Sequence, residues 1–211
     1  MKNLIVLSIL SFLFFACKEN TAKTATNQQA TQEKKESIPI PKKEIKPSFD
    51  TESVDVFVLN AKIPDLGTTE YKSEKTTTQK EIEGMTYDEV FYHISYDNRL
   101  VLKVKPYYNT ETQIHENKVN ELWIVDSLYR NDKNVGVGTK LEDFTTQYPD
   151  YKIWFTYVSD RYIIQSEQNN IQYILNPNDY TGEEIIPKSE ITSLKISDFK
   201  ADSKIESVRI Y

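Results

Sequence analysis

Two histidines, His93 and His115, and one cysteine, Cys17, are the residues of this 211-residue chain best suited to metal or proton chemistry. His93 falls within an alternating segment, opposite the face of Tyr92 and Ile94, and His115 falls in a polar stretch that reads as a loop. A structural zinc site would need both histidines plus carboxylates, and their spacing does not support one. A Ser-His-Asp constellation assembles in space rather than in sequence, which leaves a hydrolase open as a reading. No Gly-x-Ser-x-Gly elbow accompanies it. Gly136-Val137-Gly138 leads into a helical run, where backbone N–H groups can hold phosphate. Position 141 is Leu where a dinucleotide fingerprint has Gly, and no Gly-Lys-Ser/Thr follows. These glycines read instead as a tight strand-to-helix turn. Asn176, Asn178, Asp179, Glu183 and Glu184 gather oxygen ligands around Pro177 and Gly182, as a calcium loop does. Gly182 is displaced from its place in such a loop and Tyr180 fills a ligand slot, so a solvated turn is the simpler reading. No metal and no cofactor is expected. The aromatic residues offer a different chemistry, that of recognition. Trp154, Tyr157 and Tyr162 are the candidate ligand-binding residues, and with Tyr107, Tyr108 and Tyr151 they form a set in which some rings should be exposed. Alternation sets Trp154 against Ile153 and Phe155. The same tyrosines also suit half-buried strands, so each has a purely structural reading.

The elements that must position these residues are mostly strands. Val54, Val56 and Val58 share one face of a first strand. Val90, Tyr92, Ile94 and Tyr96 line a second, Asp97-Asn98 breaks it, and Leu100, Leu102 and Val104 resume, which is a hairpin pattern. Residues 121–125 form a buried strand, and 152–157, 161–165 and 171–175 form three more. Ser159-Asp160 and Gln168-Asn169-Asn170 separate those three. Residues 193–196 and 207–211 close the set. One helix is expected at about 139–148, with Leu141, Phe144 and Tyr148 as its buried stripe and Pro149 as its stop. Thr139 and Glu142 have the spacing of a capping box. The fold class is α+β, mostly β: an antiparallel sheet or meander with one short helix.

Cys17 gives the chain an address. It follows an apolar run over residues 4–16, with Lys2 before it and Ala16 at its end. A basic start, a short apolar stretch and a small residue make a secretory signal. A membrane-spanning helix needs about 20 apolar residues, more than this run supplies. Phe14-Phe15-Ala16-Cys17 resembles the cleavage site of bacterial lipoprotein signals, the type II signal peptides. The resemblance implies that Cys17 becomes the lipid-modified first residue of the mature protein. Lys18-Glu19 resembles the export signal of surface lipoproteins in Bacteroidetes and favours the outer membrane. Residues 135–149, from the Gly136-x-Gly138-Thr139 turn to Tyr148-Pro149, are similar to a segment of Bacteroidetes lipoproteins that continues into a β-meander, and the resemblance covers about residues 121–211. That resemblance implies a fold and carries no activity.

Three parts follow: a signal peptide at 1–16, the lipidated cysteine and a tether at 17–48, and a single β-rich domain at 49–211. The tether is rich in Lys, Glu, Thr, Gln and Pro and has no aromatic residue, so it cannot bury enough apolar area to order itself. Fully stretched it reaches roughly 100 Å at about 3.3 Å per residue. It carries net +3, and removing that and Lys2 from the overall −6 leaves the domain at −10. Nucleic-acid binding is excluded, because phosphate contacts need clustered Lys and Arg. The expected function is a non-catalytic envelope lipoprotein, anchored by lipid to the outer membrane and acting as a binding or assembly accessory with a protein partner. A surface module for glycan or ligand capture is the alternative, and a cryptic hydrolase the second.

Overall fold

A computed structural model of the chain describes residues 47–211, apart from 68, 83, 187 and 188 and the side chain of Ile82. The residues read from sequence as signal peptide, Cys17 and tether, up to residue 46, lie outside the described residues. Pro47 and Ser48 already belong to the folded part: the Pro47 carbonyl accepts from the Arg130 N–H, and Ser48 bridges Arg130.

The fold is mostly β and antiparallel, with one short helix among the described residues. Nine strands form its main sheet: β3 (Tyr71–Ile82), β4 (Met85–Tyr96), β5 (Arg99–Asn109), β6 (Ile114–Ile124), β7 (Tyr151–Thr156), β8 (Arg161–Ser166), β9 (Gln172–Leu175), β10 (Ile191–Leu194) and β11 (Ile205–Ile210). A two-stranded ribbon, β1 (Ser53–Val54) and β2 (Phe57–Val58), precedes them. The spatial order is β10-β7-β8-β9-β11-β6-β5-β4-β3. β3 to β6 are thus a plain meander, and β11 joins that meander to the β7–β10 half.

The β4–β5 hairpin turns at Asp97-Asn98, both at positive φ (50° and 58°), the geometry that two-residue hairpin loops require. Pro106 cannot donate to a ladder, and it sits at a register shift between β5 and β6. β3 is an edge strand of Lys, Glu, Thr and Gln with almost no apolar residue. It forms by pairing along all of β4, from Tyr71↔Tyr96 to Ile82↔Met85, and its charges discourage pairing with other chains.

One sheet face carries the main core. Ile94, Leu102, Val104, Leu122, Ile124, Ile164, Tyr173, Leu175, Val208 and Ile210 meet the hairpin residues Val54 and Phe57 there, together with the helix α1 (Leu141–Gln147). Leu141, Phe144 and Tyr148 are all buried, as the three-and-four spacing predicts. Burial of Phe144 alone contributes about 1.5–3 kcal/mol.

Four local expectations change. The strand expected at 193–196 runs instead over Ile191–Leu194, and Ile196 opens a short 3-10 turn. Val54, Val56 and Val58 do not share a face, because Asp55 at φ 53° turns the chain; Val54 is buried while Val56 and Val58 are exposed. The capping box is not made: Lys140 is the N-cap, and the Thr139 hydroxyl instead accepts from the Gly136 N–H and the Arg130 guanidinium. His115 lies in β6, opposite Tyr108, rather than in a loop.

Candidate functional site

The second face of the sheet carries a smaller apolar cluster, in which buried Trp123, Ile163 and Ile174 meet the half-buried Phe91 and Trp154. Strand alternation produces it. In β6, Leu122 and Ile124 point to the main core, so Glu121 and Trp123 point the other way. In β7, Ile153 and Phe155 point to the core and Trp154 does not. The register then sets Trp154 beside Ile163 and Ile163 beside Ile174, on three successive strands.

Trp123 organises the polar groups of this face. Its indole N–H donates to the Glu121 carboxylate at 2.9 Å. Arg209, its register partner on β11, donates Nε to the same Glu121 oxygen at 3.0 Å and a terminal N–H to Gln172 at 3.1 Å. Lys105 adds a cation 3.5 Å from the other Glu121 oxygen. The Arg209 guanidinium centre lies 5.3 Å from the Trp123 ring centroid and 4.5 Å from that of Tyr211. Arg161, on β8, lies 4.5 Å from the Trp123 centroid. Strands β9 and β11 stand between β8 and β6, a span of about 14 Å at about 4.8 Å per strand. Both long side chains must therefore lie along the sheet to meet. Two guanidiniums share one indole, and one carboxylate holds one of them.

The electrostatics follow from this crowding. Burial alone would raise the Glu121 pKa, but the hydrogen bond and charge of Arg209, with Lys105 and the Trp123 N–H, hold it below the ordinary carboxylate value. Arg161 is pulled below the usual arginine value, first by burial and then by the like charge of Arg209.

The sequence-predicted aromatics separate. Trp154 belongs to this face and also lines a groove of about 770 Å³ with Lys152, Ile191 and Ser193. Tyr162 packs instead on Phe155, Tyr180 and Phe199 beneath the core side. Tyr157 meets Phe155 edge-to-face. The candidate calcium oxygens are used locally: Asn176 Oδ1 accepts from the Asn178 N–H, and Asp179 pairs with Lys200 and accepts from Ser203. The Glu183 carbonyl accepts from the Tyr180 hydroxyl. Among the described residues no group of three or more His, Cys, Asp or Glu side chains is placed to hold a metal ion. His93 contacts Thr76 at 3.3 Å and is held below its ordinary pKa by burial and then by Lys103. His115 stacks at 4.9 Å on Tyr108, and its Nδ1 is buried without a hydrogen-bond partner. Neither histidine is bonded to a serine or a carboxylate among the described residues.

Glu121, Trp123, Arg161 and Arg209 escaped the sequence reading. The available signal was a glutamate alternating with tryptophan inside an apolar strand, and an arginine inside the Ile-rich closing strand.

No protein-family model matches the chain, and no curated protein matches it. Among solved structures the chain is similar to the uncharacterized protein yfeY from Escherichia coli, at 12% identity and a TM-score of 0.46, over 78% of this chain and 98% of that one.

Proposed function

We propose that this chain is a non-catalytic cell-envelope lipoprotein, held to the outer membrane by lipid on Cys17, that works as a binding or assembly accessory. The observation that supports a binding role is the Trp123 face, where an apolar cluster and two stacked arginines lie on the sheet side opposite the helix. Aromatic residues and arginine are the side chains that carry recognition energy at interfaces. The anchor rests on the sequence before and at Cys17. More than one acyl chain gives stable membrane residence, so the domain needs no membrane-binding surface of its own.

The address and the binding role are tested separately. Cys17→Ser is expected to release the protein from the membrane fraction or to leave an unprocessed precursor, and unchanged membrane retention overturns the anchor. Affinity capture from detergent-solubilised envelopes should recover a component that the Trp154→Ala variant fails to retain. Recovery of the chain alone, or retention indifferent to Trp154, counts against the binding role.

A further inference from the structure

We propose that the fork between β4 and β5 is a docking cleft for an extended segment of a partner protein, one that alternates apolar and basic residues and adds a strand to the inner edge of β4. The cleft is a different site from the Trp123 face and does not depend on it.

The ladders define the fork. β5 pairs with β4 only from Tyr92↔Val104 to Tyr96↔Arg99. Beyond Val104, β5 shifts register on both sides of Pro106 and follows β6 alone, as far as Asn109↔Ile114. Such bulges bend the strand that holds them. β4 meanwhile stays in register with β3 down to Ile82↔Met85. Two hairpin arms therefore diverge, and a cleft of about 680 Å³ lies between them. Thr86, Asp88 and Val90 line one bank, and Lys105, Tyr108 and His115 line the other.

The inner edge of β4 is left without a ladder. Successive residues of a strand turn their N–H and C=O groups to opposite neighbours. Tyr96↔Arg99 closes the two-residue loop at Asp97-Asn98, so it is a hydrogen-bonded pair, and the even-numbered residues of β4 bond to β5. Carried down the strand, this alternation aims the backbone groups of Thr86, Asp88 and Val90 at the side that β5 has left. An unpaired row of this kind is a template for strand addition, here inside the sheet rather than at its rim.

The banks select the side chains of the occupant. Tyr87 and Tyr108 line the cleft and are exposed, and such rings offer area to apolar partners. Among the described residues Asp88 makes no ion pair, whereas Glu89 is already shared by Lys80 and Lys105. Asp88 therefore calls for a cation, and the acidic excess of the domain has the same sign. His115 adds an unmet group to the far bank, because its Nδ1 is buried without a hydrogen-bond partner. That state is uncommon in a finished fold, and an inserted backbone brings donors and acceptors to the same wall.

The test is titration of the full chain with a nine-residue peptide of alternating Val and Lys, followed by calorimetry and by hydrogen exchange. The peptide should bind and slow exchange across residues 86–90. Copies N-methylated at every Val or at every Lys keep the charge but lose the donors of one edge, and at least one should bind tenfold more weakly. A Val-Glu peptide should bind at least fivefold more weakly. Asp88→Pro removes an inner-edge N–H while sparing the ladder to β3, and it should weaken binding at least fivefold. Tyr108→Ala on the far bank should weaken it at least threefold, which decides the matter should Asp88→Pro fail to fold. No binding of the Val-Lys peptide, equal binding of both N-methylated copies, or protection away from residues 86–90 overturns the cleft. Equal binding of the Val-Glu peptide overturns the basic occupant. Failure here leaves the Trp154-dependent capture standing, so the two readings fall separately.

Discussion

Glu121 and Trp123 stand two residues apart on one face of β6, and the carboxylate of the first accepts the indole N–H of the second at 2.9 Å. The bond ties a buried charge to the ring that carries two arginines. Glu121 therefore sets the geometry of the whole face, although its carboxylate is nearly removed from solvent.

That arrangement makes acid stability depend on Glu121. Its native pKa lies below the unfolded value near 4.5, so the unfolded chain binds its proton first as pH falls. The stabilisation is present above about pH 4.5 and is lost as pH drops through the native value. Glu121→Gln should cost about 1.5–3 kcal/mol at neutral pH, the range for hydrogen bonds to charged groups. The variant should also show a flatter stability curve between about pH 5 and pH 2. Urea unfolding across that range measures both, and parallel curves for the two proteins refute the assignment.

Thr139 acts as a latch before the helix rather than as its cap. Its hydroxyl accepts from the Gly136 N–H and from Arg130, each at 3.0 Å. Thr139→Val should cost about 1–2 kcal/mol by leaving part-buried donors without a partner. Glu142→Ala should cost less, about 0.3–1 kcal/mol, because Glu142 makes no capping hydrogen bond and only its charge favours the first turn of the helix. Equal losses in thermal melts would restore the capping box.

The two glycines of the same turn differ in kind. A Cβ on Gly136 would lie 2.4 Å from the Tyr129 carbonyl oxygen, whereas Gly138 has open space around it but a φ of 83°. Gly138→Ala should therefore cost only the left-handed backbone penalty, about 1–2 kcal/mol. Gly136→Ala forces a buried backbone apart and should cost more. Chemical denaturation of both variants gives the order, and a milder Gly136→Ala contradicts it.

Asn131 is a buried amide with every partner in place. Its nitrogen donates to the hydroxyls of Tyr148 and Tyr173, at 2.7 and 3.1 Å, and its oxygen accepts from the N–H groups of Lys133 and Val135. Asn131→Leu should cost at least about 2 kcal/mol, since each buried group left unpaired costs about 1–3 kcal/mol. Faster hydrogen exchange at Val135 would report the loss locally, and unchanged protection there would show that the amide does not hold this loop.

Local chemistry was readable wherever it was decided locally. Asp97-Asn98 tolerates the positive φ of a tight turn, and Leu141, Phe144 and Tyr148 carry the helical period, so both elements stand where the sequence places them. Alternation likewise sent Trp154 away from Ile153 and Phe155. β3 was not readable, because its residues have no apolar face and only β4 makes them a strand. The Trp123–Arg161 stack was invisible for a related reason. It depends on the strand order β6-β11-β9-β8, which pairings between distant segments decide and no local pattern encodes.

The placement of β11 has a consequence for the order of folding. It is the bridge between the β3–β6 meander and the β7–β10 half, pairing with β6 on one side and β9 on the other. A chain delivered from its N-terminus, as in synthesis, presents β6 as an open edge until residues 205–210 arrive. Such long-range closure is slow, and it leaves the half-made sheet vulnerable meanwhile. Arg209 reaches Trp123 only at that final step.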